Sequence, residues 1–326
     1  SKMDEIVLDF KLNKIWLYKN KYFLFLLISI LIYAFVFSIG TINKHQNYGT
    51  SAWGLGFVDQ SFYSSLFHGK ILYNVVERNL KAPGGFFAQG FSPIMFILFP
   101  IYYLFPSPKT LLVIQSTTLA LAALPLFYIG YSILRSEKLA FFLALIYLLN
   151  PSIHSSNWSD FHILSFVPLF FFTAYYFYIK EKRVPFLVFS LLTVLLGEYA
   201  AIIFLVFSVY KFIEYYFKER KGKLSKILAD NTMLVYSSLL SFTGVFVFKF
   251  FNNVFSKNSL SYYTQTLSHL GLLDLTSILI TLIFLLFVPL FFIPLVYNVF
   301  SFSFLMFVFI SLFNYKHNYC ELFHFF

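Results

Sequence analysis

The chain holds a single cysteine, Cys320, in 326 residues, which excludes an intramolecular disulfide and any cysteine-based metal cluster. Charge is sparse too: only 12% of residues are Asp, Glu, Lys or Arg, against 59% hydrophobic residues and a mean hydropathy of +0.76. No soluble globular class has that balance. Also absent are a Gly-rich phosphate loop, an HExxH metal motif and a nucleophile elbow. The apolar runs carry no series of arginines of the voltage-sensor kind, and no internal repeat of the transporter kind is visible.

What is present is a set of long uncharged runs. Residues 22–40, 110–134, 139–158 and 231–248 contain no Asp, Glu, Lys or Arg, and neither do the 41 residues 275–315. About 20 apolar residues, rising ~1.5 Å each, cross a hydrocarbon core ~30 Å thick. Lipid offers no hydrogen bonds, so such segments pair their own backbone groups and become helices. The fold class is therefore all-α: a polytopic transmembrane bundle of about 8–10 membrane helices with a long first outer loop.

Charge distribution sets the expected topology. The net charge of +10 is gathered in short clusters between apolar runs, the pattern of cytoplasmic loops rather than of a nucleic-acid surface, so no nucleic-acid partner is expected. Lys2, Lys11, Lys14, Lys19 and Lys21 outnumber Asp4, Glu5 and Asp9 in residues 1–21, which read as a cytoplasmic arm. No cleavable leader is evident, and residues 22–40 read as a retained signal anchor. Residues 22–326 then form one transmembrane domain in the plasma membrane. Residues 41–91 make the outer loop, with an interfacial helix within 57–76. Arg135 and Lys138, then Lys180, Lys182 and Arg183, then Lys211, Lys218, Arg220, Lys221, Lys223 and Lys226, mark returns to the cytoplasmic side.

Two segments stay open at this level. Residues 184–210 are either a hairpin with Glu198 at its outer apex or one span with Glu198 midway. The hairpin is preferred, because a carboxylate at the bilayer centre costs ~2.5–3.5 kcal/mol. Residues 92–105, between Pro93 and Pro106, are either re-entrant or a crossing. The polar segment 154–162 is expected at the outer face, and 275–315 is expected to hold two helices broken near Pro289 and Pro294.

This map places Asp59, Asp160, His162 and Glu198 at one face. Carboxylates beside a histidine there suit general-base chemistry or a divalent ion. Each has a plainer reading: Asp59 as a solvated loop acid, and Asp160 with His162 as a helix N-cap and an interfacial imidazole. His68, His269 and His317 read as loop histidines.

A family resemblance sharpens these candidates. Phe91-Ser92-Pro93, then Leu104-Phe105-Pro106-Ser107-Pro108-Lys109-Thr110-Leu111-Leu112, then Gln115, Leu124-Pro125-Leu126 and Asp160-Phe161-His162, resemble an uncharacterised family of archaeal and bacterial membrane proteins, a domain of unknown function. The likeness runs from about Gly49 to Leu205 and continues more weakly to the C-terminus. That family in turn resembles the GT-C glycosyltransferases. The resemblance implies transfer of a sugar from a polyprenyl-phosphate donor at the outer face. Asp59 or Glu198 would be the catalytic acid or base, and Gln60, Lys109, Asp160 and His162 would bind substrate. No metal-ligating residue is assigned and no cofactor is specified; membrane lipid and other membrane subunits are the further partners expected.

The chain departs from the family pattern at three polar positions. Gly54-Leu55-Gly56 stands where members carry Asp-Leu-Gly, Gly90-Phe91-Ser92-Pro93 where they carry His-Phe-Ser-Pro, and Gly197-Glu198-Tyr199 where they carry Lys-Glu-Asp. The C-terminal Leu322-Phe323-His324-Phe325 resembles the start of a family motif with further spans beyond it. These departures keep a second reading open, a non-catalytic membrane subunit that retains the fold, and a transporter is the third.

Overall fold

The computed structural model describes residues 21–75, 92–218 and 231–255. The arm before Lys21, Glu77 and Arg78, the Gly90-Phe91 pair, the basic run from Arg220 to Lys226, and everything from Ser256 onward, including the 275–315 run, Cys320, His269 and His317, lie outside them.

Every regular element among the described residues is helical. Helix α1 spans Lys21–Gln46. Its buried residues Phe23, Leu26, Ile30, Tyr33 and Thr41 recur every three to four positions and form one stripe. The opposite stripe (Leu24, Ile28, Leu31, Phe35) is exposed and apolar, a surface suited to lipid rather than water. A five-residue π turn, Ala52–Gly56, leads into α2, Phe57–His68, which ends at Gly69 in the left-handed conformation (φ +64°). Helix α2 thus falls inside the 57–76 stretch, where a helix is expected.

Helix α3 is Met95–Leu104, α4 Pro108–Leu121 and α5 Ala123–Leu134. Ser107 caps α4 by accepting from the Lys109 N–H, and Pro108 occupies its first turn. Pro125 has no N–H to give the Leu121 carbonyl, four residues back, which accounts for the break at Ala122. Even so, Pro108–Leu134 reads as one span of 27 residues.

Helix α6, Glu137–Leu148, starts at the Ser136 cap, and α7, Pro151–Trp158, starts at the Asn150 cap. Pro151 cannot bond the Tyr147 carbonyl, so the pair bends by 42°. A 3₁₀ turn at Ile163–Phe166 introduces α8, Val167–Ile179. Helices α9, Arg183–Val194, and α10, Glu198–Lys218, follow, and α11, Thr232–Phe255, packs along α10.

By length and composition α1 and α4–α5 can each cross a membrane, and α6–α7 makes a third span if the bent pair is counted as one. The shorter apolar helices α3, α8 with its 3₁₀ turn, α9 and the first part of α11 complete the bundle. The protein is an all-α membrane protein.

Antiparallel pairing resolves both open segments. Phe23, early in α1, packs on Phe127 and Tyr128 of α5, while the Tyr33 hydroxyl, further along, meets Asn157, itself bonded to Ser116 of α4. Helix α4 therefore begins at the end where α1 stops, and residues 47–107 make no net crossing. At the second segment, Phe186 and Phe204 face each other with centroids 6.2 Å apart, and the chain turns at Leu195–Gly197. That is a hairpin, with Glu198 at its apex.

Within the 154–162 segment expected at the outer face, residues 154–158 belong to α7; Ser155 and Trp158 are exposed, while Ser156 and Asn157 are buried. The bend at Pro151 turns these two into the bundle, where the Asn157 side chain meets Tyr33 and Ser116 and Gln115 donates to the Ser156 carbonyl.

Aromatic rings fill the main core. Phe171 meets Phe204 and Phe207 edge-on at 5.8 and 5.1 Å, and Tyr175 meets Phe207 at 5.5 Å. Such offset geometry suits the ring quadrupole. Part of the phenylalanine content thus packs inside, and part, such as Phe35, faces outward.

Candidate functional site

The polar side chains gather at the end of the bundle where α1 stops, and they form two connected groups. The first centres on Asp160, only 2% exposed, just beyond α7. Its Oδ2 accepts the N–H of Ser51 at 2.8 Å and of Leu55 at 3.4 Å. These N–H groups open the π turn that leads into α2, so Asp160 caps a helix start more than a hundred residues earlier in the chain. A carboxylate is favoured there because unpaired N–H groups and the helix dipole present partial positive charge.

Gly54 makes the approach possible. A Cβ at residue 54 would clash with Asp160 Oδ2, so no other residue fits without displacing the carboxylate. The glycine that stands where the resemblance calls for aspartate is thus the residue that admits Asp160. The Lys44 ammonium, in the last turn of α1, donates to the Trp158 carbonyl at 3.1 Å and sits 3.9 Å from Asp160 Oδ1. Oδ1 itself accepts no hydrogen bond.

Gln115 secures the same segment from α4. It is fully buried; its Nε2 donates to the Ser156 and Asp160 carbonyls at 3.3 and 3.4 Å, and its Oε1 accepts from the His162 N–H at 2.7 Å. One amide thereby satisfies the backbone where α7 gives way to the 3₁₀ turn, as buried backbone groups require. His162 is held here by its backbone, with its ring part-exposed.

The second group centres on Asp59, in the first turn of α2. Its Oδ1 accepts the hydroxyl proton of Tyr102 from α3 at 2.5 Å. Burial raises the Asp59 carboxyl above its ordinary range, partly offset by the Tyr102 hydroxyl and by the nearby His45 imidazole. His45 Nδ1 lies 2.8 Å from Thr50 Oγ1. The consecutive residues Lys44 and His45 therefore serve different acids, Lys44 the Asp160 group and His45 the Asp59 group.

The other candidates sit at the margins. The Gln60 carbonyl oxygen accepts the Val75 N–H at 3.0 Å, tying the loop after α2 back to that helix. Lys109 lies part-exposed in the first turn of α4. Glu198 opens α10, part-exposed, next to Gly197 at φ +128°. The apex is pinned by the Ser92 hydroxyl, which donates to the Leu196 carbonyl at 2.8 Å, and by the Ile94 N–H, which donates to the Leu195 carbonyl at 3.3 Å. The Ser92-Pro93 motif and the Glu198 hairpin are thus joined in space.

Among the described residues no three His, Cys, Asp or Glu side chains come together in a metal-binding group. Sequence reading singled out Asp59 and Asp160 but passed over Lys44, His45 and Tyr102, the groups that face them. The signal available was the Lys44-His45 pair at the end of a helix that carries no other charged residue after Lys21.

The family model described as "Predicted membrane protein (DUF2079)" matches residues 44–317, and the chain belongs to that family. No curated protein and no solved structure matches it.

Proposed function

We propose that this member of the family is a GT-C-like glycosyltransferase of the plasma membrane, using a polyprenyl-phosphate-linked sugar at the outer face, with its N-terminus cytoplasmic. The supporting observation is the Asp59 carboxylate: part-buried, raised in proton affinity, oriented by Tyr102 and adjacent to His45. A carboxylate poised this way suits a general base. In the reaction the acceptor hydroxyl gives its proton to Asp59 and its oxygen bonds to the anomeric carbon. The carbon–oxygen bond to the lipid phosphate breaks, and the electron pair leaves with the phosphate. Lys109 supplies positive charge for that leaving group, and Glu198, at the pinned apex, bounds the acceptor side.

The test is donor consumption by the full chain in liposomes containing a radiolabelled polyprenyl-phosphate sugar. Asp59→Asn should abolish release of the polyprenyl phosphate while the protein inserts normally. Undiminished turnover in that variant overturns the reading.

A second reading, a non-catalytic membrane subunit, is favoured by a different observation. Asp160 is spent on the cap over Gly54, and Gln60 on a loop tie. That reading expects no donor consumption by either protein and the same partner subunits recovered with both.

A further inference from the structure

The opposite end of the bundle, where α1 begins, carries a different chemistry. Tyr147 of α6 meets both the Leu119 carbonyl and the Phe172 ring, and further on Tyr128 meets Tyr176 at 5.6 Å. Helices α4–α5 and α8 therefore run side by side in the same direction. Their C-termini, and the starts of α6 and α9 after short turns, lie at one end of the molecule.

Those two turns carry Arg135 and Lys138, and Lys180, Lys182 and Arg183, all exposed. The acids beside them are Glu137 and Glu181, and among the described residues neither forms an ion pair with these cations. Lys211 is different: its ammonium is turned onto the Tyr175 ring and bonded to Glu214 at 2.7 Å, so its charge is already met. At the other end, Lys44, Lys70 and Lys109 are balanced by Asp59, Asp160 and Glu198. Among the described residues the excess cations are thus confined to one end.

Apolar side chains continue directly from these cations. Val184, Val188 and Leu191 climb one face of α9, and Leu139 and Phe142 one face of α6, all exposed. Tyr22 and Tyr176, each with a lysine ammonium over its ring, lie at the same level as Tyr128. Tyrosines mark the depth at which headgroups meet hydrocarbon.

We infer that the turns holding Arg135, Lys138, Lys182 and Arg183 are a docking surface for anionic phospholipids, phosphate on the cations and acyl chains along the exposed strips of α6 and α9. Charge complementarity selects the occupant: unpaired cations directly above lipid-exposed apolar surface match an anionic headgroup with its tails. The surface works whatever chemistry the other end performs. It also fixes orientation, because the start of α1 then faces the leaflet richer in anionic lipid.

The test is native mass spectrometry of the full chain, released from nanodiscs of equal phosphatidylglycerol and phosphatidylcholine content. The wild type should retain phosphatidylglycerol in excess. The quadruple variant Arg135→Gln, Lys138→Gln, Lys182→Gln, Arg183→Gln should lose that preference, by about fivefold in affinity per cation removed. Lys70→Gln, at the far end, should keep it. Circular dichroism on the same samples confirms that the helices are intact, and two of the four substitutions suffice should the full set fail to fold. Equal retention of both lipids by the wild type, or an unchanged preference in the folded charge variants, overturns the inference.

Discussion

Asp160 Oδ2 lies 2.8 Å from the backbone nitrogen of Ser51, at the start of a helix more than a hundred residues earlier in the chain. This contact joins the end of α7 to the entry of α2 and brings the Asp160 and Asp59 groups to the same end of the bundle. It also explains Gly54, whose missing side chain leaves room for the carboxylate.

Asp160→Ala should destabilise the protein by about 1–3 kcal/mol, because the part-buried Ser51 N–H and the buried Leu55 N–H lose this acceptor. Gly54→Ala should destabilise it independently, by forcing Asp160 aside. The double variant should cost less than the two single changes together, since without the carboxylate the new methyl meets no obstacle. Thermal unfolding of all four proteins in detergent measures the coupling, and strict additivity would contradict the close approach.

Gln115→Leu keeps the volume but removes the acceptor of the His162 N–H and one donor to each of the Ser156 and Asp160 carbonyls, which keep the Ser159 hydroxyl. Loss of the buried amide's hydrogen bonds costs about 1–3 kcal/mol. The melting temperature should fall, and protease should cut near residues 156–162 in the variant before it cuts the wild type. Unaltered protection there would mean that the amide is dispensable.

For Asp59, the folded carboxyl binds its proton more tightly than the unfolded one. The stability it contributes is therefore complete below the ordinary carboxylate pKa and is lost as pH rises through the raised folded value. Asp59→Asn should remove that fall in stability on the alkaline side. Any base-dependent turnover should rise with pH over the same window. Parallel stability–pH curves for wild type and Asp59→Asn would show that burial does not perturb this group.

At the hairpin apex, Gly197 holds φ +128°, a conformation L side chains rarely adopt. Gly197→Ala should cost about 1–3 kcal/mol of backbone strain. Ser92→Ala, which removes the hydroxyl bonded to the Leu196 carbonyl, should cost about 1 kcal/mol. Melting temperatures check both, and the glycine variant should be the weaker of the two.

The sequence by itself determined the solvent and the secondary structure. Uncharged runs of span length cannot leave their backbone groups unpaired in lipid, so helices were the one outcome for them. The hairpin at Gly197-Glu198 was legible for the same electrostatic reason, the cost of a carboxylate in mid-bilayer. The tertiary structure alone decided which polar groups meet. Nothing local links Asp160 to Ser51, Tyr102 to Asp59, or Gln115 to the end of α7, because each pairing depends on how separate helices pack. Ser156 and Asn157 show the difference most plainly: they look polar enough for water, yet the bend at Pro151 carries them into the bundle, where partners from α1 and α4 replace the solvent.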